Sequence, residues 1–123
     1  MSAENVETVR GIYECWAEGD FRGGMEFYDS EMEFVLSPDF PDTGTYRGQD
    51  AISAYMRGFL EPWQRLAIAA ENIADAGDTV VASVVQSGVG VGSGVPVEVR
   101  YVQVWTFRDG RVVRLENFRE LPL

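Results

Sequence analysis

Tyr101-Val-Gln-Val-Trp-Thr-Phe-Arg-Asp-Gly-Arg-Val-Val-Arg-Leu-Glu-Asn-Phe-Arg-Glu120 decides the fold. Two long runs of alternating polarity flank an Asp-Gly turn, the pattern of a half-buried antiparallel hairpin. The turn allows two registers. A two-residue Asp-Gly loop pairs Arg108 with Arg111 and sets Trp105 opposite Arg114. A three-residue Arg-Asp-Gly loop pairs Phe107 with Arg111, and Tyr101, Gln103 and Trp105 then share a face with Val113, Leu115 and Asn117. The second arrangement sorts aromatic from charged side chains, and such sorting sets register, so it is the predicted one. Its outer face carries Arg100, Val102, Val104, Thr106, Arg114 and Glu116. Its inner face mixes aromatics with the amides of Gln103 and Asn117. Buried amides need partners, supplied by the protein or by a ligand.

Working back from this hairpin, the signals from Arg65 onward are all strand. Leu66–Ile73, Thr79–Val91, Val97–Phe107 and Arg111–Arg119 are separated by short turns that favour consecutive antiparallel pairing. Gly88-Val-Gly-Val-Gly-Ser-Gly94 opens no helix, so it reads as a hairpin tip and not as a phosphate cradle. The first half reads differently. Val6, Val9, Tyr13 and Trp16 recur at helical spacing, with Ile12 and Ala17 widening the stripe, which predicts a helix over 4–18. Gly19 ends it and Asp20 can cap a second helix over 20–29, weakened by Gly23 and Gly24. A short strand around Met32, Phe34 and Leu36 follows, then a loop over 37–48. A third helix over 49–61 presents Ile52, Tyr55, Met56, Phe59 and Leu60 to one side and stops at Pro62. The expected fold class is therefore α+β: three N-terminal helices on one face of a mainly antiparallel sheet, with residues 1–123 forming one domain.

The bulk numbers narrow the partners. With 10 basic and 20 acidic residues the chain carries a net charge of −10. That charge repels phosphate backbones and anionic lipid surfaces, so neither nucleic acid nor a membrane is an expected partner. There is no histidine and one cysteine, Cys15. Zinc, haem and histidine-dependent triads are thereby disfavoured, an intrachain disulfide is impossible, and no metal or cofactor is expected. Asp39, Asp42 and Thr43 have no ligand spacing to hold magnesium or calcium. No signal segment or spanning stretch is visible, so a cytoplasmic location is expected.

Taken together, the pieces resemble the SnoaL-like branch of the nuclear transport factor 2-like superfamily. The residues carrying the likeness are Ala17-Glu-Gly-Asp20, Phe27-Tyr-Asp-Ser-Glu-Met-Glu-Phe34, Gly44-Thr-Tyr-Arg-Gly-Gln-Asp-Ala-Ile52 and Trp105-Thr-Phe-Arg-Asp-Gly-Arg-Val-Val113. The resemblance implies a cone-shaped, barrel-like roll, with the three helices packed in the concavity of a curved, mainly antiparallel sheet around an apolar pocket, and frequent homodimers. It covers ketosteroid isomerases, polyketide cyclases, limonene epoxide hydrolase, dehydratases and non-catalytic binding domains. Each catalytic pattern is broken here. The isomerase base, tyrosine and protonated aspartate fall on Leu36, Ile12 and Gln103, with Tyr13 one residue off that helical face. The cyclase aspartate falls on Glu120, without its partner histidine. One hydrolase aspartate falls on Asn117, and an amide cannot take a proton as a carboxylate does. Arg100 is present but points outward in the predicted register.

The expected function is a small-molecule pocket for an apolar, ring-sized ligand. Acid/base isomerisation, cyclisation or dehydration would use Asp39, which lies just past the first strand beside Phe40. The candidate ligand contacts are Tyr13, Trp16, Tyr55 and Trp63 from the first half, and Tyr101, Gln103, Trp105 and Asn117 from the last hairpin. The alternative is a non-catalytic dimerisation or accessory domain whose pocket is filled by its own side chains. A homodimer through Val102, Val104 and Phe118 on the outer sheet face is expected in either case.

Overall fold

A computed structural model of the chain describes residues 2–38, 40 and 43–120. It contains two α-helices and six strands: α1 (Ser2–Ala17), β1 (Tyr28–Leu36), β2 (Gly44–Arg47), α2 (Gly48–Leu60), β3 (Trp63–Ala76), β4 (Thr79–Gly90), β5 (Pro96–Arg108) and β6 (Arg111–Phe118). The strands form one curved, unclosed sheet in the order β2-β1-β6-β5-β4-β3. Every neighbouring pair is antiparallel except β1 and β6, which run parallel. α1 packs on β3 and β4, and α2 packs on β1 and β2. Irregular pairing interrupts β3 twice and β1 once, and such interruptions bend a strand and raise its twist.

The expected second helix is absent. Residues 21–24 form turns and only Met25–Phe27 makes a single 3-10 turn. The cause lies in close packing against α1. A Cβ at Gly24 would come within 2.4 Å of Ile12 Cγ1, and Gly24 itself has φ 94°, outside the helical region. The two glycines let the chain press flat against α1, which a helix of full diameter could not do. The loop expected over 37–48 also hides a strand, β2, whose four residues pair with β1. Four residues are too few for an alternation to stand out from a loop.

The last hairpin differs from the expected register at its tip and meets it in facing. Asp109 and Gly110 have φ 53° and 77° and form a two-residue turn with Arg108 opposite Arg111. The pairing then shifts by one residue between Thr106 and Phe107, so Trp105 meets Leu115 and Gln103 meets Asn117. The extra residue restores the sorting that the turn alone would have reversed. Trp105 does not oppose Arg114. Val112 takes the inner position next to Phe107, in place of the expected Val113.

The core lies between α1 and the inner sheet face. Val9, Ile12, Tyr13 and Trp16 of α1 pack with Val80, Ala82 and Val84 of β4 and with Trp105 and Phe107 of β5. Val9, Val80, Val84 and Trp105 have no exposed surface, and each such burial contributes about 1.5–3 kcal/mol. No helix among the described residues is long and apolar enough to cross a membrane.

Candidate functional site

The core does not fill the space under the sheet. α1 covers the end nearest Trp105, and α2 stands over β1. Between them lies a cavity of about 740 Å³. Its floor is the inner face of the sheet, with Met32, Phe34 and Leu36 from β1 and Leu115 and Asn117 from β6. Tyr101 and Gln103 of β5 and Gln86 of β4 continue that floor. α2 supplies Ile52, Tyr55, Met56 and Phe59 as a wall, because its apolar residues recur at helical spacing on one side. Trp16 and Phe21 close the end under α1, and Arg22, Arg57 and Asp20 stand at the rim.

The aromatics interlock. Tyr55 lies 4.6 Å from Tyr46 and 5.4 Å from Phe34 between ring centres. Phe40 meets Tyr101 edge-on at 5.9 Å, so the loop after β1 contributes to the wall. Trp105 continues the same inner face beyond the cavity, under α1, 5.6 Å from Trp16 and 5.8 Å from Tyr13. Pairs at these distances fix one another's orientation as well as burying area.

The polar groups form a chain. Trp105 Nε1 donates to the Tyr13 hydroxyl at 2.8 Å. That hydroxyl donates to Gln103 Oε1 at 2.7 Å, and Gln103 Nε2 donates to Asn117 Oδ1 at 3.0 Å. Gln103 and Asn117 are only 2% and 6% exposed. A separate pair joins the Tyr101 hydroxyl to Gln86 Oε1 at 2.9 Å. Burial holds Tyr13 well above the usual phenol range, against the opposing pull of the Trp105 hydrogen bond. Burial also pushes Tyr28 and Tyr101 upward. All three are neutral phenols at physiological pH. Asp20 at the rim is exposed, so the described walls hold no buried carboxylate.

Of the residues singled out from sequence, Trp16, Tyr55, Tyr101, Gln103 and Asn117 line the cavity. Tyr13 and Trp105 stand beyond its edge and hold the amides in place. Trp63 does not line it. As the first residue of β3 it lies against β4, where a Cβ at Gly88 would meet its ring at 2.7 Å. Asp39 and Asp42 lie outside the described residues. Gln86 went unnoticed in the sequence, although the inward alternation Val80, Ala82, Val84 points to it. The resemblance placed the isomerase tyrosine on Ile12, whereas the hydroxyl that reaches Gln103 belongs to Tyr13. Both residues are buried because the covered arc of α1 is wide. Glu120 and Arg100 are exposed, and Arg100 pairs with Glu71 and Glu98 on the outer face. Among the described residues no cluster of cysteine or carboxylate groups could hold a metal ion.

A sheet wrapped over a cavity, with a helix against each end, defines a nuclear transport factor 2-like protein, and solved structures bear out that class. A protein of this kind from Burkholderia thailandensis E264 is 29% identical, with a TM-score of 0.80 over 92% of this chain and 88% of that one. A protein from Jannaschia sp. CCS1, assigned as a SnoaL-like polyketide cyclase, is 24% identical, with a TM-score of 0.81 over 95% and 85%. TerC, co-crystallised with polyporic acid, is 21% identical, with a TM-score of 0.80 over 94% and 91%. Within that class the SnoaL-like domain family matches residues 9–115, and the chain belongs to it. No curated protein matches the chain significantly.

Proposed function

We propose that this protein binds an apolar, ring-sized small molecule between α2 and the inner face of β1 and β4–β6. The observation that carries the proposal is the cavity of about 740 Å³, walled by aromatic and methionine side chains with a few fixed amides. Small-molecule sites span about 300–1,000 Å³ and combine apolar walls with a few placed polar groups. Space of this size weighs against the version in which the protein's own side chains fill the pocket. Fold relatives supply a parallel, since TerC was crystallised with polyporic acid.

In its catalytic form the proposal takes Asp39 as the base of an isomerisation, cyclisation or dehydration, because its chain neighbour Phe40 lines the cavity. Loss of turnover in Asp39→Asn with ligand binding retained is the expected result, and unchanged turnover removes the assignment. A second, non-catalytic form is favoured by the described walls, which hold neutral phenols and amides and no buried carboxylate. Homodimerisation through the outer face belongs to the same proposal. It would rest on Val104 and Phe118, which stay half-buried, more than on Val102, which is already covered within the chain. Sedimentation showing a concentration-independent monomer would exclude it.

The test of binding is a thermal-shift panel of steroids, terpenes, flavonoids and aromatic polyketides. A ligand at ~100 times its dissociation constant adds roughly 2.7 kcal/mol. For a domain of this size that raises Tm by about 5–15 °C. One responding chemotype identifies the ligand class, and a flat panel favours an accessory domain that acts on a protein partner.

A further inference from the structure

The hydrogen-bonded chain behind the cavity can run in only one direction. An indole N–H donates and cannot accept, so Trp105 Nε1 forces the Tyr13 oxygen to accept. The single proton of Tyr13 must then go to Gln103, because the hydroxyl is buried and meets no other acceptor among the described residues. That fixes Oε1 of Gln103 toward Tyr13 and turns Nε2 toward Asn117. Asn117 must answer with Oδ1, as it does at 3.0 Å. Reversing either amide would leave a buried donor facing a donor. The other pair, Tyr101 and Gln86, has no donor-only anchor among the described residues, and nothing there fixes its direction.

The consequence falls on Asn117 Nδ2. Its side chain is more than nine-tenths buried and lines the cavity, and no acceptor among the described residues meets that amide nitrogen. We infer that Asn117 selects ligands bearing an acceptor oxygen, such as a ring ketone, quinone or phenolate, and discriminates against matched molecules without one. The N–H group is held as a donor from three residues away, so it does not reorient to suit a ligand that only donates. A chain of aligned hydrogen bonds also polarises its last member and strengthens that donor. This inference rests on the proposal that the cavity takes an apolar ring-sized molecule.

The test pairs ring ketones with their deoxygenated hydrocarbons: 9-fluorenone with fluorene, 1-tetralone with tetralin, and androst-4-ene-3,17-dione with androst-4-ene. Dissociation constants are measured by tryptophan quenching on wild type and on Asn117→Asp. The aspartate keeps an acceptor for Gln103 and turns a second acceptor, in place of the donor, into the cavity. Wild type is expected to prefer at least one ketone about tenfold, the scale of one neutral hydrogen bond. The preference should vanish or invert in Asn117→Asp. Equal binding of ketone and hydrocarbon, or a preference that survives the substitution, overturns the inference and leaves the pocket reading standing. No binding by either member of any pair overturns both. If Asn117→Asp does not fold, the side-chain amide resonances of wild-type Asn117 decide. A downfield shift with the ketone and none with the hydrocarbon supports the assignment, and equal shifts refute it.

Discussion

Tyr13→Phe removes one oxygen from the middle of the buried chain and strands both neighbours. Trp105 Nε1 loses its acceptor and Gln103 Oε1 loses its donor, in residues that are 0% and 2% exposed. Trp105 has no exposed surface and does not border the cavity, so water cannot replace its lost acceptor without opening the core. An unsatisfied buried polar group costs about 1–3 kcal/mol, so two cost about 2–6 kcal/mol together. Gln103 borders the cavity, which places the loss in the lower half of that range, and roughly 3 kcal/mol lowers Tm by about 10–18 °C in a domain of this size. Urea unfolding should show a lower midpoint at unchanged m, because the surface exposed on unfolding is the same. Adding Gln103→Met to Tyr13→Phe removes the stranded acceptor. The double variant should therefore lose about 1–2 kcal/mol less than the sum of the single losses. A Tyr13→Phe protein within about 1 kcal/mol of wild type, or strictly additive losses, would refute the view that the three residues act as a unit.

Gly24→Ala places a Cβ 2.4 Å from Ile12 Cγ1 at φ 94°, and should cost about 2–4 kcal/mol from backbone and overpacking terms, read as a drop in Tm. Tyr13, Tyr28 and Tyr101 all titrate above the ordinary phenol value in the folded state, so the stability they contribute is complete below about pH 10 and falls as pH rises further. Their phenolate absorbance should therefore appear together with loss of circular dichroism, and three phenolates appearing in a still-folded protein would contradict their burial. Burial and the nearby acids, Asp20 first, push the Cys15 thiol up. Alkylation by iodoacetamide at about pH 8 should run slower than for free cysteine and speed up with pH.

The final hairpin was legible because alternation over a dozen residues leaves one sensible facing, and the aromatic and amide residues it turned inward do form the cavity floor. The turn chemistry misled on detail. Asp-Gly formed the tight turn it favours, and a shift two pairs further on corrected the facing, which no local rule anticipates. The missing second helix was foreshadowed by Gly23 and Gly24, but only the proximity of Ile12 and Cys15 explains it. Tyr13 belongs by its spacing to the apolar stripe of α1, and only the alignment with the isomerase tyrosine, which falls on Ile12, sets it one residue aside. A sheet that curves around α1 buries Val9, Ile12, Tyr13 and Trp16 together. The direction of the hydrogen-bonded chain needed three-dimensional contacts, since Trp105 and Tyr13 are separated by 92 positions.

The parallel ladder between β1 and β6 has a consequence for how the chain reaches this shape. β6 sits between β1 and β5, so among the described residues 111–118 alone join the β2-β1 pair to the β5-β4-β3 meander within the sheet. A nascent chain can pair β1 with β2 at once, but the other edge of β1 must wait for β6, about 80 positions downstream. Closing so long a loop is slow, and meanwhile Phe34 and Leu36 lie on an unpaired edge. The compartment that would receive a ligand does not exist until the last strand is threaded into the middle of the sheet.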